Sequence, residues 1–284
     1  MKKLIINADD LGADDFRNAG IFETIEAGVV TSVSFLANGP AREHALCRKS
    51  LFLGKRVSVG IHLNLSEGTP LTTDLHIITG QNGYFMGKNQ AHRLFAQKRD
   101  SLLEEEIYRE TVAQIEVLHK ADISITHIDG HQHIHIFPAV IEPVVMAAEA
   151  FGIPWIRVPH EPFEKYGHDA FYDSEARVYC EYAAKARSQI INSGLRTTDH
   201  FRGLYLKGRV SLPLLKHALH HLPDGLTELM VHPGRVPTGV PHGPFALFST
   251  FDRETECMAL LHREFYDILA HQGISLVPFP EIRL

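Results

Sequence analysis

Short apolar and β-branched runs alternate with stretches of helical periodicity nearly eight times along this chain, and no other feature constrains its fold as tightly. The runs Lys3–Asn7, Thr31–Leu36, Val57–Leu63, Ile123–Ile128, Trp155–Val158, Thr198–Leu206, Leu226–Val231 and Ser275–Val277 read as strands. Between them Phe16, Ala19, Ile21 and Ile25 recur at helical spacing until Gly28, and helices are expected over Ala41–Leu53, Pro138–Phe151, Ser174–Ser193, Leu212–Leu222 and Arg253–His271. Ser101 and Glu104 have the form of a capping box that opens a helix running to about Lys120. Strands separated by helices pair in parallel, because each crossover returns the chain to the same end of the sheet. The predicted architecture is an α/β fold, a distorted (β/α) TIM-like barrel forming a single domain over residues 1–284. A doubly wound open sheet is the alternative.

The rhythm breaks at Ser66–Arg99 and again at His160–Asp173. Long irregular stretches inside a compact domain are usually functional, so residues 66–100 are expected to be an insertion that covers the substrate. A chain of 284 residues buries a full core without a structural metal, so any metal here is expected to serve chemistry. Cys47, Cys180 and Cys257 are far apart and lack ligand spacing; they read as free thiols of a reducing compartment. The formal net charge is −6 and no Lys/Arg cluster offers a phosphate track, which argues against nucleic acid as a partner. No apolar stretch approaches the roughly 18 residues of a membrane span. The apolar run behind the N-terminal lysines ends at Ile6, short of a signal peptide, so a cytoplasmic protein is expected, with a homodimer compatible.

Histidine is abundant, at 19 residues, and its positions are informative. Asp9 and Asp10 follow the first strand, His62 and Asn64 end the third, Asp129 and His131 the fourth, Arg157 the fifth, and His232 the seventh. In a parallel barrel these points share one rim, the C-terminal face, where such folds keep their active sites. Adjacent carboxylates repel unless a cation is near, so one of the Asp9–Asp10 pair is expected on a metal and the other beside the water it activates. The run from Asp129 to His135 carries four ionisable groups that would share one face if extended. His131 is the expected ligand, His133 and His135 lie farther out as supporting or surface groups, and Asp129 is suited to accept the second N–H of a ligand histidine. Asp10, His62 and His131 then form a carboxylate–bis-histidine set that leaves positions open for water and substrate. Such donors suit zinc, iron, manganese or a harder cation.

At these residues the chain resembles the YdjC-like family, which includes chitooligosaccharide deacetylases and hopanoid-biosynthesis-associated members. The matching segments are Ile6–Gly12, Val30–Ser32, Gly60–Asn64, His127–His133, and Leu222–Glu228 running into His232–Gly234. Leu11 departs from the Phe that many members carry. The resemblance implies a distorted (β/α) barrel, a metal on Asp10, His62 and His131, magnesium as that metal with zinc an alternative, and a small carbohydrate as substrate. The implied reaction is removal of acetyl from an N-acetylated amino sugar or oligosaccharide of chitooligosaccharide type. For such a reaction, the positions of these residues suggest Asp9 as general base, Arg157 as the group that orients Asp9, and His232 as the acid that protonates the leaving amine. A hydrolase of another glycan or of a lipid-linked sugar, and a non-catalytic sugar-binding module, are the alternatives. A glycosidase would leave the histidine cluster without a task, and an iron oxygenase would not be expected on this scaffold.

Overall fold

The first strand, β1 (Lys2–Leu11), is buried from Leu4 onward and runs four residues past its predicted end, carrying both aspartates within it. In the computed structural model, which describes residues 1–54, 57–97, 100–163, 170–239, 243–248 and 250–280, β1 is an interior strand of the sheet. Residues 98–99 and 164–169, parts of the two irregular stretches, lie outside the described residues. Helix α1 (Asp15–Glu26) follows, its N-terminus capped by Asp14, whose side chain accepts from the Arg17 N–H. Then come β2 (Ser32–Phe35), α2 (Arg42–Cys47), α3 (Ser50–Leu53), β3 (Ser58–Leu63), α4 (Lys88–Phe95), α5 (Ser101–Lys120) and β4 (His127–Gly130). The second half holds α6 (Ile141–Phe151), β5 (Trp155–Ile156), α7 (Ala170–Asn192), β6 (His200–Arg202), α8 (Leu212–His220), β7 (Gly225–Val231), α9 (Phe251–Leu261), α10 (Arg263–His271) and β8 (Ser275–Leu276).

The strand order is β5-β4-β3-β2-β1-β7-β6, every pair parallel, with β8 attached beside β1 at Lys3 and Leu4. The sheet curls into a distorted half-barrel surrounded by helices, as predicted. It stays open between β5 and β6; among the described residues an isolated bridge joins Trp155 of β5 to Arg196, ahead of β6. Strands β2, β3 and β4 are buried throughout, as expected when helices cover both faces of a parallel sheet. No helix among the described residues is long and apolar enough to cross a membrane.

Several boundaries differ from expectation for local reasons. Asp100, not Ser101, caps α5, accepting from the N–H groups of Leu102 and Leu103. The stretch from Arg253 to His271 splits at His262, whose extended backbone starts α10. The sixth strand keeps only three residues because Glu161 draws the chain away. Its Oε2 accepts the N–H groups of Gly203, Leu204 and Tyr205, and Gly203 adopts a φ of 125° to allow it.

The 66–87 segment is pinned to α5 by a buried polar stripe spaced four residues apart. Glu106 accepts from His76, Ile77 and Ile78 N–H groups at 2.7–3.1 Å. Glu110 accepts from Leu71 and Thr72, and Gln114 pairs with both backbone groups of Asn64. A loop whose backbone is satisfied by a helix in this way is a fixed wall. Glu106→Ala strands three donors at once, and is expected to cost about 2–4 kcal/mol. Chemical denaturation together with limited proteolysis checks it: cleavage should concentrate in residues 70–80, and an unchanged proteolysis pattern would refute the pinning.

Candidate metal centre and cleft

The two aspartates reach one cleft through a backbone irregularity. In a regular strand, neighbours point to opposite faces. Here β1 pairs Ala8 with Val33 and Leu11 with Phe35, so Asp9 and Asp10 together oppose Ser34 alone. Asp10 takes a φ of 70°, in the left-handed region that aspartate tolerates better than most side chains. Both carboxylates then line the same cleft, with His62, Gln132 and His232 around them.

Parallel pairing supplies the next element. His62 on β3 is in register with Asp129 on β4, so their side chains stand next to each other on one face. His62 Nδ1 is 2.7 Å from Asp129 Oδ1, leaving Nε2 to face Asp10 Oδ1 at 3.4 Å. Asp129 therefore takes the second nitrogen of a candidate ligand, as its position predicted. Beyond Gly130 the strand ends and the chain coils into a 3-10 helix over His131–Ile136. That turn aims His131 Nδ1 at Asp10 Oδ1, 3.0 Å away. The other Asp10 oxygen, Oδ2, is held by Arg17 Nη1 at 3.1 Å.

The donor atoms of Asp10, His62 and His131 all lie within 4.8 Å of one another. Two bonds of about 2.1 Å meeting at roughly 90–110° would separate their donors by about 3.0–3.4 Å, so the two spacings on Asp10 Oδ1 suit one small divalent cation. Asp9, His62 and Asp129 form a second such group. That set already has its cation: Arg157 clamps Asp9 with both Nη atoms at 2.7 Å, touches Asp129 Oδ2 at 2.6 Å and reaches Glu228 Oε1 through Nε at 2.7 Å. The first set is the one suited to a metal, and the donor chemistry fits a divalent ion.

Electrostatics follow this arrangement. Burial alone would raise the Asp10 carboxyl, but His131 and Arg17 outweigh it and hold it well below the usual range. Burial pushes His131 down to about 4 against the pull of Asp10. Burial also lowers His62, yet Asp129 and Asp9 carry it up to about 10. Asp9 is raised by burial, with Arg157 opposing. Its Oδ1 also accepts from Asn7 Nδ2 at 2.7 Å, while Oδ2 looks into the cleft, 4.0 Å from both His62 Nε2 and His232 Nε2. His232 ends β7, and its backbone N–H donates to Glu256 Oε1 at 2.7 Å. Burial and the charge of Arg253 lower its imidazole well below the ordinary value.

The six residues singled out from the sequence thus converge on one buried site. The stretch after Gly130 is not extended, so Asp129, His131, His133 and His135 do not share a strand face. Of the supporting or surface roles expected for His133 and His135, burial excludes the surface one: they are 3% and 0% exposed. His135 Nε2 lies 3.0 Å from the Arg157 carbonyl, behind the site, while His133 lines the cleft itself. Asn64 sits away from the donors and staples the following loop, its Oδ1 accepting from the Ser66 and Glu67 N–H groups.

Other groups were not foreseen. Arg17 and Arg253 gave no distinguishing spacing, but Glu228 did leave a signal, a lone charge inside the apolar run of β7. Lys207 lines the cleft, pushed down to about 8 by burial and by Lys88. Gln132 and His133 both adopt φ 56°, ψ 26°. Consecutive left-handed residues other than glycine cost about 1–3 kcal/mol each and persist where surrounding structure enforces them.

Residues 3–271 match the YdjC-like protein family. A carbohydrate deacetylase of Mus musculus is 34% identical over 301 residues, covering 99% of this chain and 94% of its own. A carbohydrate deacetylase of Brevibacillus brevis is 30% identical, with 99% of both chains covered. Among solved structures, an Enterococcus faecalis V583 protein provisionally named for cellobiose-phosphate cleavage superposes with a TM-score of 0.73. It is 23% identical and covers 98% of this chain and 97% of its own, a likeness of fold. Matched over nearly its whole length, the chain belongs to the YdjC-like carbohydrate deacetylase family.

Proposed function

We propose that this protein is a metal-dependent hydrolase that removes the acetyl group from an N-acetylated amino sugar or oligosaccharide of chitooligosaccharide type. One observation carries the reading: a carboxylate–bis-histidine donor set lies beside a second carboxylate and a further histidine that do not belong to it. A non-catalytic sugar-binding module has no need of that pair. A divalent cation held by Asp10, His62 and His131, magnesium by family resemblance or zinc, supplies a Lewis acid that polarises an amide carbonyl and makes water more acidic.

The chain's own residues do the rest. Asp9 Oδ2, facing the cleft, accepts a proton from the attacking water, and Arg157 holds the carboxylate in that orientation through two hydrogen bonds. Burial favours the protonated form of Asp9 that this step creates, while Arg157 keeps it ionised beforehand. His232 rests neutral, 4.0 Å from Asp9 Oδ2, so the proton that Asp9 takes from water can pass to its imidazole, and an imidazole so depressed readily gives that proton up to the leaving amine. Glu67, in the loop after β3, supports the cleft wall by accepting from Gln132 Nε2, and through it that loop is placed to influence substrate binding.

The relatives named carbohydrate deacetylases support the substrate class. Acetate release from N-acetylated mono-, di- and oligosaccharides, measured after chelation and again after metal is restored, tests the proposal. Acetate should appear only with metal. New reducing ends without acetate, or no turnover on any member, would remove it.

A further inference from the structure

Gln132 and His133 sit on the same wall of the cleft, each more than nine-tenths buried, each in left-handed backbone. Each also carries a buried polar atom with no hydrogen-bond partner among the described residues: Gln132 Oε1 and His133 Nδ1. Two such atoms on consecutive cleft-lining residues, held by an enforced backbone, mark a place built for a polar ligand. We propose that Gln132 Oε1 and His133 Nδ1 form a subsite that reads a hydroxyl of the substrate sugar, a deepening of the function proposed above and resting on it.

The direction of the hydrogen bond follows from the neighbours. Gln132 Nε2 donates to Glu67 Oε1 at 3.2 Å. A carboxylate accepts, so the amide nitrogen must face Glu67 and the amide oxygen is the atom left without a partner on this cleft-lining residue. The same Glu67 oxygen accepts the Lys88 N–H, and Asn64 holds the Glu67 backbone on both sides. The orientation of one side chain is thereby fixed by the loop after β3 and the start of α4. His133 is fixed by ring packing, edge-on to Tyr179 at 5.0 Å and to Phe201 at 6.2 Å. Gln132 Oε1 accepts only, so its partner is a donor; an N-acetylated sugar offers hydroxyls and acetamido N–H groups, and a hydroxyl, the group that monodeoxy analogues remove, is the one assigned to this subsite. A site that leaves a buried acceptor unmade discriminates strongly against a ligand lacking the matching donor.

The probe is N,N′-diacetylchitobiose with its monodeoxy analogues, assayed on the metal-loaded wild type, Gln132→Met and Glu67→Gln. The wild type should lose at least about tenfold in kcat/KM on one deoxy analogue. In Gln132→Met that loss should vanish, because the parent sugar falls to the level of the analogue, while metal stoichiometry is retained. Glu67→Gln, which lets the Gln132 amide face either way, should lose part of the discrimination and serves as the test if Gln132→Met does not fold. Full wild-type discrimination in a folded variant overturns the subsite. Calorimetric binding of the same sugars separates the two proposals. Gln132-dependent binding without acetate release keeps the subsite and sinks the hydrolase, whereas neither binding nor turnover sinks both.

Discussion

Asp10→Ala and His131→Ala are each expected to lose bound metal and acetate release together. Asp10 Oδ1 is the atom toward which both imidazoles point, at 3.0 and 3.4 Å, so removing its carboxylate takes away the one anionic donor of the set and one of the partners of Arg17. Loss of a supporting hydrogen bond to a metal ligand already costs about 10–100-fold in affinity, and loss of a ligand itself should exceed that. The metal-free state sharpens the expectation. There His62 carries a proton up to about pH 10, against an unfolded value near 6.5. That proton stabilises the metal-free fold fully below about pH 6.5, and the stabilisation fades as pH rises through about 10. A cation arriving at Nε2 must displace it, so binding should release about one proton and strengthen with rising pH across that window. Metal analysis after dialysis, with calorimetry in buffers of different ionisation enthalpy, reads both effects. A full equivalent of metal in dialysed Asp10→Ala would contradict the assignment.

The parts legible from sequence were those where local pattern and chemistry coincide. Strand–helix alternation predicted the parallel sheet, because each apolar run buries on both faces and each helix covers them. The rim position of the reactive residues followed from strand direction alone, and it placed Asp9, Asp10, His62, His131 and His232 in one cleft, with Arg157 buried behind Asp9. What escaped was geometry that depends on single backbone torsions. The bulge that turns Asp10 beside Asp9, and the left-handed pair at Gln132 and His133, have no compositional signature, since any polar residue can be forced into that region by its surroundings. The run Asp129–His135 looked extended because period-2 alternation persists in it, yet only its first two residues belong to β4. The open seam between β5 and β6 was hidden too, since strand count does not reveal which edges close.

Asp9→Asn should abolish turnover while leaving the metal in place, a pairing of outcomes that distinguishes a base from a ligand. Asparagine keeps the shape of the side chain and cannot hold a proton on that atom. General-base catalysis contributes about 10²–10⁴-fold, so kcat should fall by that factor. Asp9 Oδ2 stands 4.0 Å from His62 Nε2, outside the triangle made by Asp10, His62 and His131, so metal content should stay near wild type. The substitution does disturb Arg157, which would meet an amide N–H where it now meets an oxygen. Asp129 and Glu228 still engage the guanidinium, so the fold should survive with a lowered midpoint. Activity, metal content and thermal midpoint must therefore be read on the same sample. Undiminished acetate release would exclude Asp9 as the base. Loss of metal with the activity would instead move Asp9 into the donor set, and the choice between the two carboxylates of β1 would have to be reversed.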